Sequence, residues 1–165
     1  MDATALLQLM YDSALGTALA ESLYMYPLVE GSHLLSLAFS FGLIVLIDLR
    51  LTGLALVQLP VQALLRQLRP YLLAGFVVTF ITGILLTFAA GPELLNSFVF
   101  PLKLLLIVLA GLNAAWFEWR YGRDVTQWQQ APHPAGVRLA GFASLGFWSG
   151  VVILGRLIPY LDSGF

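Results

Sequence analysis

The sequence predicts an all-α fold: an integral membrane four-helix bundle with an N-terminal interfacial amphipathic helix and both termini outside. Three observations predict it. Of 165 residues, 59% are hydrophobic and only 10% are charged, where soluble domains carry about a quarter charged residues; mean hydropathy is +0.87. Four stretches approach or exceed the roughly 20 apolar residues that a spanning helix needs. Lys and Arg are distributed unevenly between the connecting segments, as the positive-inside rule requires of a multi-pass protein. The length suits a single membrane domain over residues 1–165. A net charge of -1 gives no reason to expect nucleic acid, and the absence of cysteine excludes disulfides and thiolate metal sites.

In chain order, residues 1–25 come first. "MDATALLQLMYDSALGTALAES" has no basic n-region; its charges are Asp2, Asp12 and Glu21, so no cleaved signal is expected. Leu6, Leu7, Leu9 and Met10 alternate with Gln8, Asp12 and Ser13, which suits a helix lying in the interface. The first span covers residues 26–47. Residues 51–68 are interrupted by Pro60 and end in Arg66 and Arg69, which predicts an interfacial or re-entrant element. The second span covers residues 70–90 and the third 101–119, with Pro70 and Pro101 at the first helical position, where a missing N–H costs nothing. The fourth covers residues 138–160.

Arg50, Arg66 and Arg69 lie between spans one and two; Arg120, Arg123 and Arg138 lie between spans three and four. Both of these connections are therefore expected on the cytoplasmic side. Trp116, Trp119 and Trp128 then fall at the inner interface. Gly75, Gly83, Gly111, Gly141, Gly146, Gly150 and Gly155 predict close helix approach and a tight bundle.

With the orientation set, depths can be compared. Glu30 and His33 lie in the outer third of the first span, Lys103 at the outer start of the third, and Arg156 near the outer end of the fourth. Ionisable groups at membrane depth are costly unless paired, and mark function by default. Glu30 and His33 share a helix face at i, i+3. The residues thus predict either a packing network, Glu30 with Arg156 or Lys103, or a cofactor site. In a cofactor site His33 is the metal ligand or hydrogen-bond partner, Glu30 orients it, and Lys103 and Arg156 pair with anionic groups. The candidates are haem b, which needs a second axial ligand, and quinone, which does not. Asp48, Arg50 and Arg120 read as a solvated inner rim, Asn113 as an interhelical hydrogen bond, and His133 as an exposed loop histidine. No catalytic triad or nucleotide fingerprint occurs.

"YPLVEGSHLLSLAFSFGLIVLIDLRLTGL", "KLLLIVLAGLNAAWFEWR" and "LGFWSGVVILGRLIPY" resemble a family of small bacterial inner-membrane proteins carrying a domain of unknown function. The residues carrying the resemblance include Glu30, His33, Asp48, Arg50, Lys103, Asn113 and Arg156. It implies a multi-pass four-helix protein of the bacterial inner membrane. More loosely, the layout is similar to copper-resistance and cytochrome b561-type membrane domains, where helix histidines hold haem b.

Three functions follow as expectations. The first is a redox or electron-transfer subunit binding haem b or quinone near the periplasmic face. The second is a non-catalytic accessory subunit of a larger membrane complex, or a homo-oligomer in the lipid bilayer. The third is a small metal-ion transporter, with Met10 and Met25 beside His33.

Overall fold

A computed structural model of the chain describes residues 2–96, 98–123, 125–128 and 133–161, with the backbone alone at 159 and 161. It is all-helical. Two short helices, α1 (Ala3–Tyr11) and α2 (Ala14–Glu21), precede four long ones: α3 (Met25–Thr52), α4 (Val61–Ala90), α5 (Val99–Phe117) and α6 (Ala135–Leu161). All four long helices are long and apolar enough to cross a membrane. The end holding the arginine-bearing connections is called inner here; the 3₁₀ turn Gly91–Leu95, against which α1 packs, marks the outer end.

The N-terminal stretch is two helices rather than one. Asp2 caps α1, accepting from the Ala5 N–H at 2.8 Å, and Ser13 caps α2, accepting from the Gly16 N–H at 3.1 Å. A second N-cap twelve residues into the chain restarts the helix instead of continuing it. Both helices pack on α4.

Residues 51–68 do not form a separate interfacial or re-entrant element. The first span continues to Thr52, Gly53 closes it at φ 78°, and α4 begins at Val61. Pro70 therefore lies inside α4, not at its start. Its ring removes one hydrogen bond to the preceding turn. The turns before it are held by burial instead: Val61 and Leu65 belong to a core with Ile47 and Leu51 of α3, Phe117 of α5, and Val137 and Ala140 of α6. Val125 completes this core, and Trp128 packs against it with its ring 6.0 Å from Phe117. Trp128 is thus a half-buried core residue, whereas Trp119 is exposed.

The long helices pack as a row. α4 lies on α3, α3 on α6, and α6 on α5, while α4 and α5 barely meet. The glycines report the same asymmetry. A Cβ on Gly75 would strike Ser40, one on Gly150 would lie 2.6 Å from Leu106, and one on Gly141 would lie 3.0 Å from Thr52. Those positions need glycine for close approach. Gly111 and Gly146 have nothing within 4 Å. The tight bundle expected from the glycines is realised along three of its seams and absent at the fourth.

Gly75→Leu is expected to force α3 and α4 apart and to cost about 1–3 kcal/mol. Gly146→Leu points into open space and should be close to neutral. Unfolding of both variants in the same mixed micelles measures the difference; equal losses would contradict this packing.

Candidate functional site

The outer polar set forms only in part. The His33 ring is half-buried on α3 and meets α4, with Nδ1 3.0 Å from both the Thr79 carbonyl and the Thr82 hydroxyl. A carbonyl only accepts, so Nδ1 carries the proton and donates it. In the neutral ring Nε2 is then the nitrogen with the lone pair. Gly83 makes room for the ring: a Cβ there would lie 3.1 Å from Cε1. Ser36 and Thr79 extend the contact, the Thr79 hydroxyl donating to Ser36 Oγ at 2.9 Å.

Lys103 lies at the same depth, its Nζ resting against Gly155 of α6. It makes no ion pair among the described residues. Glu30 is exposed and makes no ion pair among the described residues. Arg156 is exposed too, and its guanidinium donates to the Tyr160 hydroxyl one turn on, at 2.6 Å. The packing network expected among Glu30, Lys103 and Arg156 is therefore not formed. Long side chains near a helix end reach the interface and leave the apolar seam, and here that leaves His33 with Lys103.

The inner set departs further from expectation. Asp48 and Arg50 are no solvated rim: they are 4% and 3% exposed. His133 is 7% exposed rather than a solvent-facing loop residue. Arg50 Nε donates to the Leu59 carbonyl at 2.7 Å, and its Nη1 donates to His133 Nε2. Since Nε2 accepts, Nδ1 is the protonated nitrogen, and it donates to the Trp128 carbonyl at 3.1 Å. One guanidinium thus ties the end of α3 to both inner connections. Asn113 behaves as expected, its amide donating to the Ala140 carbonyl at 3.0 Å.

Where α4 and α5 fail to meet, a cavity of about 380 Å³ opens toward the inner half of the bundle. Its walls are overwhelmingly apolar, with Phe76 and Phe80 of α4, Ile107 and Ala114 of α5, and Trp148 of α6 among them. Apart from Arg69 and Glu118 at its mouth, the polar residues on it are Asp48, Asn113 and Ser144. Ser144 faces the Asp48 carboxyl, yet Asp48 Oδ2 is buried without any hydrogen-bond partner. A buried carboxyl oxygen left unmet costs its full desolvation, so the site is short of one polar partner. Arg69 and Glu118, paired at 2.5 Å, bridge α4 to the end of α5 at the inner mouth. His33 is not on this lining. An apolar pocket of this size with a few convergent polar groups is the usual form of a small-molecule site.

Asp48, Ser144 and Trp148 were not among the site residues read from the sequence. The available signal was spacing: Ser40, Ile44 and Asp48 are four apart and share the buried face of α3. Among the described residues no group of three or more His, Asp or Glu could hold a metal ion. Comparison with family models, with curated proteins and with solved structures gives no match.

His133→Ala removes one acceptor of the buried Arg50 guanidinium and is expected to destabilise the protein by about 1–3 kcal/mol. Glu30→Gln, on an exposed position, should change stability by less than about 0.5 kcal/mol. Chemical unfolding in mixed micelles separates the two; an equally harmless His133→Ala would refute the tie.

Proposed function

We propose that this is a bacterial inner-membrane protein that binds a lipid-soluble quinone in the cleft between α4 and α5, as a redox subunit. The observation that supports it is the Asp48 carboxyl oxygen, buried without a donor in the wall of an apolar, aromatic cavity open to lipid. A quinone carries electrons and protons together. Asp48 would accept a ring hydroxyl or hold a proton for it. The Ser144 hydroxyl would donate to a ring oxygen, and the Asn113 carbonyl, its amide already spent on Ala140, would accept. Phe76 and Trp148, with ring centroids 4.7 Å apart, would pack the ring. The α4–α5 gap would let an isoprenoid tail remain in the bilayer. The outer quinone or haem site expected from His33, Glu30, Lys103 and Arg156 is replaced in this reading by an inner one.

Haem at His33 is the second reading, and one observation favours it. The Nδ1–H bond to a backbone carbonyl is how ligating histidines are usually oriented, leaving Nε2 for a metal. Lys103 would pair with a propionate. The other histidine, His133, is tied to Arg50 at the opposite end and cannot serve as second axial ligand within one chain.

Short-chain ubiquinone and menaquinone analogues titrated into nanodisc-embedded protein should quench tryptophan emission saturably. Trp148→Phe should remove the saturable part, and Asp48→Asn should weaken binding of the chemically reduced quinol forms, which carry the ring hydroxyls that Asp48 accepts, about tenfold, the worth of one good buried hydrogen bond. Linear quenching, identical in all three proteins, would refute the cleft site. A Soret band in the purified protein, lost in His33→Ala, would establish the haem reading instead.

A further inference from the structure

We propose that the inner end of the bundle carries a binding site for the headgroup of an anionic phospholipid, formed by Arg66, Arg69 and Arg123. These three guanidinium-bearing side chains, with Gln62 and Thr126, line a groove of about 540 Å³ between the first turns of α4 and the segment after α5. Among the described residues no acidic one lines it. The Glu118 carboxylate is engaged by Arg69. Arg66 and Arg123 have no ion pair among the described residues. Guanidinium forks suit phosphate oxygens geometrically as well as electrically.

The position selects the source of the phosphate. Arginines at the cytoplasmic ends of spanning helices lie at headgroup depth, and basic pockets between helices there recognise anionic lipids. The groove is also continuous with the lipid-facing cleft, because Leu65 and Arg69 line both. A phosphate held at Arg66 and Arg123 would leave its acyl chains at the cleft mouth, along Leu65, without a break in apolar surface. A soluble phosphate compound would gain nothing from that continuity. The quinone contacts Asp48, Asn113 and Ser144 are not part of the groove, so this inference stands or falls independently of the proposed function.

The test is lipid retention. Protein reconstituted with phosphatidylcholine and phosphatidylglycerol is re-extracted, and the co-purifying lipid is quantified by mass spectrometry. The wild type should retain phosphatidylglycerol selectively. Arg66→Gln and Arg123→Gln should each weaken retention about fivefold, the effect of one cation at a membrane surface. The Arg66→Lys/Arg123→Lys double variant keeps the charge and should keep most of the selectivity, which separates loss of the site from loss of the fold. Arg138→Gln, exposed on α6 outside the groove, should have no effect. Unchanged retention in the glutamine variants would overturn the proposal. So would an equal loss in Arg138→Gln, which would indicate bulk charge only. Displacement of the lipid by millimolar inorganic phosphate would also overturn it, assigning the groove to a soluble anion.

Discussion

The Arg50 guanidinium is the interaction on which the rest of the structure depends. At 3% exposure it is a charge removed from water at the end of a spanning helix, and such a charge is tolerated only when protein groups meet its donors. The Leu59 carbonyl and His133 do so, and His133 is oriented in turn by the Trp128 carbonyl. These bonds fasten both inner connections to α3. Val125 and Trp128 are thereby pressed onto Phe117, Leu51 and Val137. With the inner end closed by its connections, α4 and α5 need not touch along their length. The cleft between them is a consequence of where the bundle is fastened.

Much of the fold is legible in the sequence because the bilayer imposes it. Twenty apolar residues in a row leave few alternatives, since lipid offers no partner for a backbone N–H. The four spans follow from that; the caps Asp2 and Ser13, which split the N-terminal stretch into two helices, do not. Pro70 misleads because proline at a first helical position is a good local rule. Here the turns before it are held by long-range burial of Val61 and Leu65. Asp48 and Arg50 mislead for a related reason. Charges at a span's end ordinarily reach water, and the partner that buries Arg50 lies 83 residues further on. The prolines around His133 read as an exposed turn, and nothing local says that this turn folds back onto α3. The cavity is the least legible feature of all. It arises from a contact that is not made, and Gly111, which looks like a packing glycine, faces the gap.

Two polar centres thus lie at different depths and differ in kind. At the outer one, His33 offers a fixed ring at the depth of Lys103, which makes no ion pair among the described residues, an arrangement suited to an anionic or metal-bearing group. At the inner one, Asp48 offers an acceptor in an aromatic cavity, suited to a neutral ring that carries hydroxyls. Both sit on α3, which, like α6, has neighbours on two sides of the row. Of the four spanning helices, α3 is among the most enclosed, which keeps both centres fixed relative to each other while the outer helices α4 and α5 face lipid.

The central claim is that the α4–α5 cleft is open to the bilayer and holds a ligand. The most direct measurement attaches a spin label to Ala114→Cys, a cleft-wall position in a chain that otherwise has no cysteine. Collision rates with molecular oxygen, which partitions into lipid, are then recorded in nanodiscs with and without added quinone. The account predicts a mobile, oxygen-accessible label without quinone and marked protection when quinone is present. A label that is immobile and shielded from oxygen in both conditions would mean that α4 and α5 close on each other, and would contradict it.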